Sequence, residues 1–139
     1  QGVVFQSHLD GSKYELTPEI SIEIQRKLDS NISMQLDECP AHTDEKDIID
    51  RSMNLSLRWA QRSKEAFDQR PGYGLFGIVQ GGVFADLREQ SAKGLIGIDF
   101  NGFVLEFVTK LDEFGLADGV YGCPEPIFVI TPAPQYFES

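Results

Sequence analysis

The segment that most constrains the fold of this chain lies at residues 73–95. An apolar run rich in strand-forming residues, 75–79, ends abruptly in Gln80 and two glycines, and residues 83–95 then carry apolar side chains at helical spacing. A strand that delivers one polar side chain at its carboxyl end and then turns tightly into a helix is how α/β enzymes present site residues. Gln80 is therefore the first candidate for a functional residue.

A second strand–helix unit precedes this segment. A short stretch that alternates apolar and polar residues, 32–37, ends in Asp37 and is followed by the longest helical pattern of the chain, residues 44–68. A further strand is predicted to begin near residue 103, so the middle of the chain reads strand–helix–strand–helix–strand. This alternation predicts an α/β fold with a parallel sheet. Asp37 and Gln80 then end successive strands and point from the same edge.

The two ends of the chain have other patterns. Residues 2–16 place Asp10-Gly11, a turn dipeptide that tolerates positive φ, between two strand-like segments, which predicts an N-terminal β-hairpin. Thr17 and Pro18 then suit the start of a helix. Residues 106–139 hold four of the seven prolines. This composition predicts an irregular Pro-rich tail, apart from a brief strand at residues 127–130.

Composition excludes several classes of protein and site. The 139 residues carry 22 acidic and 12 basic side chains, and this net charge of −10 argues against their holding a nucleic-acid backbone by electrostatics alone. Cys39 and Cys123 are too far apart for a zinc or redox pair, and His8 and His42 add no ligand cluster, so no metal site is predicted and a reducing cytoplasm is expected. No apolar run reaches the roughly 18–20 residues of a membrane helix. The chain begins with Gln1 rather than Met, which suggests a piece of something longer.

The residues themselves suggest a binding site but leave alternatives open. A carboxylate at Asp37 beside the amide of Gln80 suits the edge of a planar heterocycle with N–H donors and a carbonyl, such as a purine, although other polar ligands also fit. Asp37 could instead be an N-cap or turn carboxylate and Gln80 a loop amide bonded to backbone. Gly81 and Gly82 either let a ligand approach the backbone or only make a tight turn. Cys39 either lines a pocket near Asp37 or packs as a small side chain.

Several motifs, in order and at consistent spacing, resemble one known family. They are Phe5-Gln6-Ser7-His8-Leu9-Asp10-Gly11-Ser12, Thr17-Pro18-Glu19, Met34-Gln35-Leu36-Asp37-Glu38-Cys39, Arg58-Trp59 and Phe76-Gly77-Ile78-Val79-Gln80-Gly81-Gly82. Together they closely resemble the central part of bacterial-type queuine tRNA-ribosyltransferase, the tRNA-guanine transglycosylase. The resemblance runs from Gln1 to about Leu105.

The resemblance implies a fold and a substrate. It implies a partial (β/α)8 TIM barrel of about three to four βα units, with residues 1–105 as the transglycosylase-like part and 106–139 as a divergent tail of unknown fold. The family exchanges guanine at the tRNA wobble position for a 7-deazaguanine base. By resemblance, Asp37 binds the base edge and Gln80 binds the base carbonyl. Gly81, next to Gln80, is predicted as a further substrate-binding residue. Cys39 matches a pocket residue of bacterial members, which use the aminomethyl precursor preQ1.

The resemblance also implies residues that this chain does not match. The family's general-acid/base aspartate lies upstream of Gln1, and its nucleophilic aspartate and zinc-binding cluster lie far downstream. No catalytic residue, metal ligand or cofactor is therefore assigned here. After Leu105 the family continues with a glycine pair, where this chain has Glu106-Phe107. A fragment that does not exchange bases by itself is the expectation.

The expected partners follow from the same family. They are a purine or 7-deazaguanine base, tRNA through the parent enzyme, and a second copy of the chain, because the family typically dimerises; no membrane is expected. The alternative is a non-catalytic, truncated relative that binds a purine-like ligand or a partner chain.

Overall fold

The computed structural model describes residues 2–41, 45–105 and 131–132. The elements in chain order are β1 (Val3–Gln6), β2 (Lys13–Leu16), α1 (Pro18–Lys27), β3 (Ile32–Met34), α2 (Lys46–Ala66), β4 (Gly74–Val79), α3 (Ala85–Ile98), β5 (Gly102–Leu105) and β6 (Thr131–Pro132). The predicted α/β class is confirmed for these ranges. None of their helices combines the length and the apolar character needed to cross a lipid bilayer.

The larger sheet confirms the predicted alternation of parallel strands and helices. Its strand order is β3-β4-β5-β6, and β4 pairs in parallel with both β3 and β5. Helix α2 connects β3 to β4, and α3 connects β4 to β5. β6 adds an antiparallel edge to β5. Within the described residues these strands form an open sheet and do not close into a barrel.

The predictions for the tail concern residues that are mostly outside the described ranges. The strand expected at residues 127–130 lies there, as does the rest of the irregular Pro-rich segment. Only Thr131 and Pro132 belong to the described part, and they form β6.

The hairpin and the start of α1 form as local sequence rules predict. β1 and β2 pair antiparallel, and Gly11 takes a φ of +74° in the connection. The N–H and hydroxyl of Ser12 both donate to the Asp10 carboxylate, which lowers the pKa of Asp10. Thr17 Oγ1 accepts from the N–H of Ile20 at 3.3 Å, and Pro18 occupies the first turn of α1.

One face of the sheet packs against the helices. Along β4, burial alternates, with Leu75, Gly77 and Val79 buried and the residues between them half-buried. Leu75 and Val79 form one cluster with side chains from all three helices and from the loop before β5, namely Ile22, Ala60, Leu95 and Phe100. Burying an aliphatic or aromatic side chain of this size stabilises the fold by about 1.5–3 kcal/mol. This cluster fixes where α2 and α3 lie relative to the strand ends.

The boundaries of some elements differ from the predicted ones. β3 ends at Met34 instead of continuing to Asp37, although the N–H of Gln35 still donates to the carbonyl of Phe76 at 3.1 Å. The reason is that the backbone beyond Gln35 bonds to α2 instead of to β4. α3 starts two residues later than predicted and runs on to Ile98, where Asp99 ends it in the left-handed conformation with a φ of +66°.

Candidate functional site

The side chains of Asp37 and Gln80 meet at the carboxyl edge of the parallel strands. Gln80 directly follows β4, and Asp37 lies in the extended segment after β3. The Nε2 of Gln80 donates a hydrogen bond to Oδ2 of Asp37 at 2.6 Å. The Gln80 side chain is 5% exposed, and Asp37 is half-buried. The structure therefore brings together the two residues that the strand pattern predicted to share an edge.

The hydrogen bond determines what this pair can offer to a ligand. A carboxylate only accepts hydrogen bonds, so the amide nitrogen of Gln80 must face Asp37. Such a bond to a charged oxygen is roughly twice as strong as one between neutral groups, and partial burial strengthens it further. The pair then combines carboxylate acceptors with an amide donor. It complements a ligand edge that carries N–H donors beside a carbonyl oxygen.

Gln80 is held in place from α3. Its backbone N–H donates to Oγ of Ser91 at 3.0 Å, and Ser91 is 1% exposed. The apolar helical spacing of residues 83–95 predicted a buried stripe on this helix, and Leu87, Ser91 and Leu95 are its buried residues. It did not predict that the serine hydroxyl bonds to the site residue.

The backbone on both sides of Asp37 is held from α2. Three serines lie on the buried face of this helix, among its apolar residues, and form hydrogen bonds with the chain after β3. The bonds are Glu38 N–H to Ser56 Oγ at 2.8 Å, Ser52 Oγ–H to Glu38 O at 3.2 Å, and Leu36 N–H to Ser63 Oγ at 3.4 Å. Sequence reasoning missed these residues. The signal that could have revealed them is a set of small polar side chains inside the apolar stripe of Met53 and Ala60.

Gly81 is placed by its packing against α3. Its φ is +126°, in the region that favours glycine. A Cβ at this position would lie 2.6 Å from the backbone nitrogen of Arg88 and 2.8 Å from the carbonyl carbon of Leu87. The missing side chain thus lets the first turn of α3 approach the end of β4. A contact between Gly81 and substrate stays a prediction.

Cys39 is exposed and lies on a groove beside α2. The groove has a volume of about 510 Å³, and Glu38, Arg51 and Arg58 also line it. Its lining includes neither Asp37 nor Gln80. The role of Cys39 as a residue of the base pocket therefore stays a prediction.

The described residues do not supply a metal centre. In residues 2–41 and 45–105, no three His, Cys, Asp or Glu side chains gather as a metal ion would require. His8 is exposed, and His42 lies outside the described ranges. This donor set does not fit the zinc ion that the resemblance implies, and no step proposed below runs through a metal.

Comparisons with known proteins agree with the motif resemblance. The model of the family described as queuine tRNA-ribosyltransferase matches residues 1–114. A queuine tRNA-ribosyltransferase of Ruegeria pomeroyi is 58% identical over 105 residues, which cover 76% of this chain and 28% of the relative. One from Brucella suis is 57% identical over 102 residues, covering 73% of this chain and 27% of the relative. One from a Jannaschia species is 50% identical over 143 residues, covering 98% of this chain and 36% of the relative.

The extent of these matches bears on the tail and on the site. The chain spans 27% to 36% of the length of these three relatives. Similarity continues past Leu105, since the family model reaches residue 114 and the Jannaschia relative aligns with 98% of the chain. The predicted site residues Asp37, Cys39, Gln80 and Gly81 all lie inside the match to the family model.

Proposed function

The chain belongs to the queuine tRNA-ribosyltransferase family, and on that premise we propose that it holds a guanine-type base for exchange in tRNA. The observation that carries this proposal is the hydrogen bond from Gln80 to Asp37 at the carboxyl edge of the sheet. The pair supplies recognition of the base, and the substrate class is guanine and its 7-deaza analogues, including preQ1. Cys39 and Gly81 are the further residues that we assign to this substrate.

The chemistry of the guanine edge supports this assignment. Guanine presents two donors, its N1–H and its 2-amino group, beside the acceptor O6. Asp37 can accept from both donors, and Gln80 can donate to O6. Because an amide nitrogen carries two hydrogens, donation to O6 is compatible with the bond to Asp37. Replacing N7 by carbon leaves this edge unchanged, so both the departing and the incoming base fit.

The donors and acceptors of the Asp37–Gln80 pair exclude adenine. Adenine presents an acceptor at N1 and a donor at its 6-amino group, which is the reverse of the guanine pattern. Adenine N1 would face the carboxylate of Asp37 without a proton between them, and its amino group would face the amide hydrogens of Gln80. A buried polar group left without a partner costs about 1–3 kcal/mol, so two such mismatches give strong discrimination.

We place base recognition, and not bond breaking, in this chain. The nucleophile, the general acid/base and the zinc cluster that the resemblance implies match none of its 139 residues, so we expect no exchange by these residues alone. We further propose that β3, β4 and β5 are successive strands of a (β/α)8 barrel. The half-buried face of β4, with Phe76 and Ile78, is where other barrel strands would pack. Residues 1–105 would belong to this barrel; because similarity to the family continues past Leu105, we do not propose residues 106–139 as a separate unit.

The partners of the proposed site follow from its family. They are the base and, with the rest of the enzyme, tRNA, and a substrate tRNA favours a cytoplasmic location. A homo-oligomer is a further proposal.

A second candidate function is binding without catalysis. The bond between Asp37 and Gln80 is complete within this chain, whereas no nucleophile is assigned to it, which favours a protein that retains only ligand binding. A purine-like ligand or a partner chain would then be the physiological target. Base binding without exchange, when the missing family segments are supplied, would support this alternative.

Isothermal titration calorimetry on the 139-residue chain tests base recognition. We expect guanine to bind and adenine to bind at least about tenfold more weakly, since one mismatch already corresponds to that ratio. Asp37→Ala should abolish the heat of guanine binding. Asp86→Asn is the matched control, because this carboxylate is 65% exposed on α3 and pairs with Lys46. Equal binding of guanine and adenine, or equal affinities of the two variants, would refute the assignment.

A further inference from the structure

We propose that two buried serines, one on each helix that follows a site strand, are positioning residues that preset the Asp37–Gln80 pair. They are Ser56 on α2 and Ser91 on α3. The identity of the ligand rests on the proposed function, whereas the positioning of Asp37 and Gln80 by the serines does not.

Ser91 fixes the peptide group from which the Gln80 side chain extends. β4 ends at Val79, and the next N–H along the chain, that of Gln80, donates to Ser91 Oγ at 3.0 Å. A serine hydroxyl inside a helix commonly donates to a backbone carbonyl of the preceding turn. Here the Ser91 oxygen accepts a hydrogen bond from a residue outside its helix. Both residues are at most 5% exposed, so water cannot easily replace the bond.

Ser56 does the same for Asp37. The N–H of Glu38 belongs to the peptide group whose carbonyl is that of Asp37, and it donates to Ser56 Oγ at 2.8 Å. The carbonyl of Glu38 accepts from Ser52 Oγ at 3.2 Å. The chain here has left the β3 ladder, so serine hydroxyls take the place of a neighbouring strand. Ser56 is 2% exposed.

These two bonds determine the geometry of the site. In both units, the helix after the strand holds one peptide group next to the functional side chain. The two side chains meet at 2.6 Å, and the position of each backbone limits which of their rotamers can make this hydrogen bond. A pair held this way before the ligand arrives loses less conformational entropy on binding, which improves affinity. Removing one serine hydroxyl should therefore loosen one member of the pair while the fold remains.

The test measures the site both without and with a ligand. Ser91→Ala, Ser91→Cys and Ser56→Ala are compared with Ser33→Ala in the full 139-residue chain. Ser33 is the matched control because it is a buried serine of β3, 3% exposed, that lines a cleft with Arg70 and Tyr73. The ligand-free readout is the ¹H–¹⁵N spectrum of the Gln80 side-chain amide and the exchange rate of its backbone N–H. The second readout is the affinity for guanine.

We expect the Ser91 variants to shift the Gln80 side-chain amide toward the position of an exposed glutamine and to speed exchange of its backbone N–H. Guanine affinity should fall by about five- to tenfold in the Ser91 and Ser56 variants, the ratio that one lost hydrogen bond supports. Ser33→Ala should change neither readout. Ser91→Cys replaces the hydroxyl with a slightly larger thiol that is a poor acceptor, so it should affect the Gln80 amide and the guanine affinity as Ser91→Ala does.

Each outcome decides the proposal. Gln80 resonances and affinities that match those of Ser33→Ala would overturn it. If the unsubstituted chain binds no guanine, the proposed function fails, and the ligand-free spectrum alone then decides whether the serines position the pair. If Ser91→Ala does not fold, the Ser91→Cys and Ser56→Ala variants decide in the same way.

Discussion

Replacing Gly81 with alanine should separate the end of β4 from α3. The residue adopts a φ of +126°, which costs a residue with a side chain about 1–3 kcal/mol. The new Cβ would also lie 2.6 Å from the nitrogen of Arg88 and 2.8 Å from the carbonyl carbon of Leu87. These are backbone atoms of a helix and cannot rotate away, so α3 itself must move.

The magnitude follows from these two effects. Overpacking of this kind typically costs about 1–3 kcal/mol in addition to the strain. We therefore expect Gly81→Ala to lower the free energy of unfolding by about 2–6 kcal/mol, a large share of the roughly 5–15 kcal/mol that stabilises a typical domain. Because α3 carries Ser91, its displacement should also remove the acceptor for the N–H of Gln80.

Substitutions at two other glycines separate the cost of backbone strain from the cost of steric overlap with an added Cβ. Gly72 has a φ of +84° and no atom within 4 Å of an added Cβ, so Gly72→Ala measures backbone strain alone. Gly82 has a φ of +55°, and its added Cβ would meet a methyl group of Ile49 at 3.4 Å, a neighbour that can yield. Urea unfolding of the three variants, followed through the fluorescence of Trp59, the one tryptophan of the chain, gives the comparison.

Gly81→Ala should be the least stable variant, by at least about 1 kcal/mol relative to Gly72→Ala. Equal losses in the two variants would mean that α3 does not pack closely on Gly81, and the reasoning from the added Cβ would be refuted.

Two further predictions concern activity and pH. Incubation of the 139-residue chain with unmodified tRNA and labelled guanine should give no incorporation, because the proposed function assigns base recognition but no nucleophile to these residues; robust incorporation would contradict this. Arg62 donates to Glu19 at 2.7 Å and lowers the pKa of Glu19 from 4.5 to about 2. Since this pair is partly exposed, Glu19→Gln should cost less than about 1 kcal/mol. That cost should be fully present above pH 4.5 and lost as the pH falls through about 2, because Glu19 is then protonated in the folded chain as well. Urea unfolding across this range measures it, and a difference that does not depend on pH would rule out the ion pair as its source.

Local chemistry explains why many elements could be predicted. The turn at Asp10-Gly11 and the helix start at Thr17 depend on interactions within a few residues, and both form as expected. Helical spacing likewise predicted the buried stripe of α3. The shared edge of Asp37 and Gln80 needed only one further rule, since parallel strands joined by helices end on the same side of a sheet.

The tertiary structure decided how this edge is built. β3 ends at Met34 because serines of α2 compete with β4 for the backbone that follows, and such competition is visible only once the helix is packed on the sheet. For the same reason, the sequence could not distinguish the packing of Gly81 against α3 from the approach of a ligand. That distinction depends on distances between atoms that are several residues apart along the chain.

The sequence by itself determined the alternating elements and the two side chains at the ends of neighbouring strands, because these follow from local propensity and residue spacing. It also carried the motifs whose resemblance identifies the family. Only the tertiary structure decided that Gln80 donates to Asp37 at 2.6 Å and that Ser56 and Ser91 hold the two backbones. Hydrogen bonds act over about 3 Å, whereas sequence patterns place an element only to within a few residues. The contact therefore depends on how the two helices pack against the sheet.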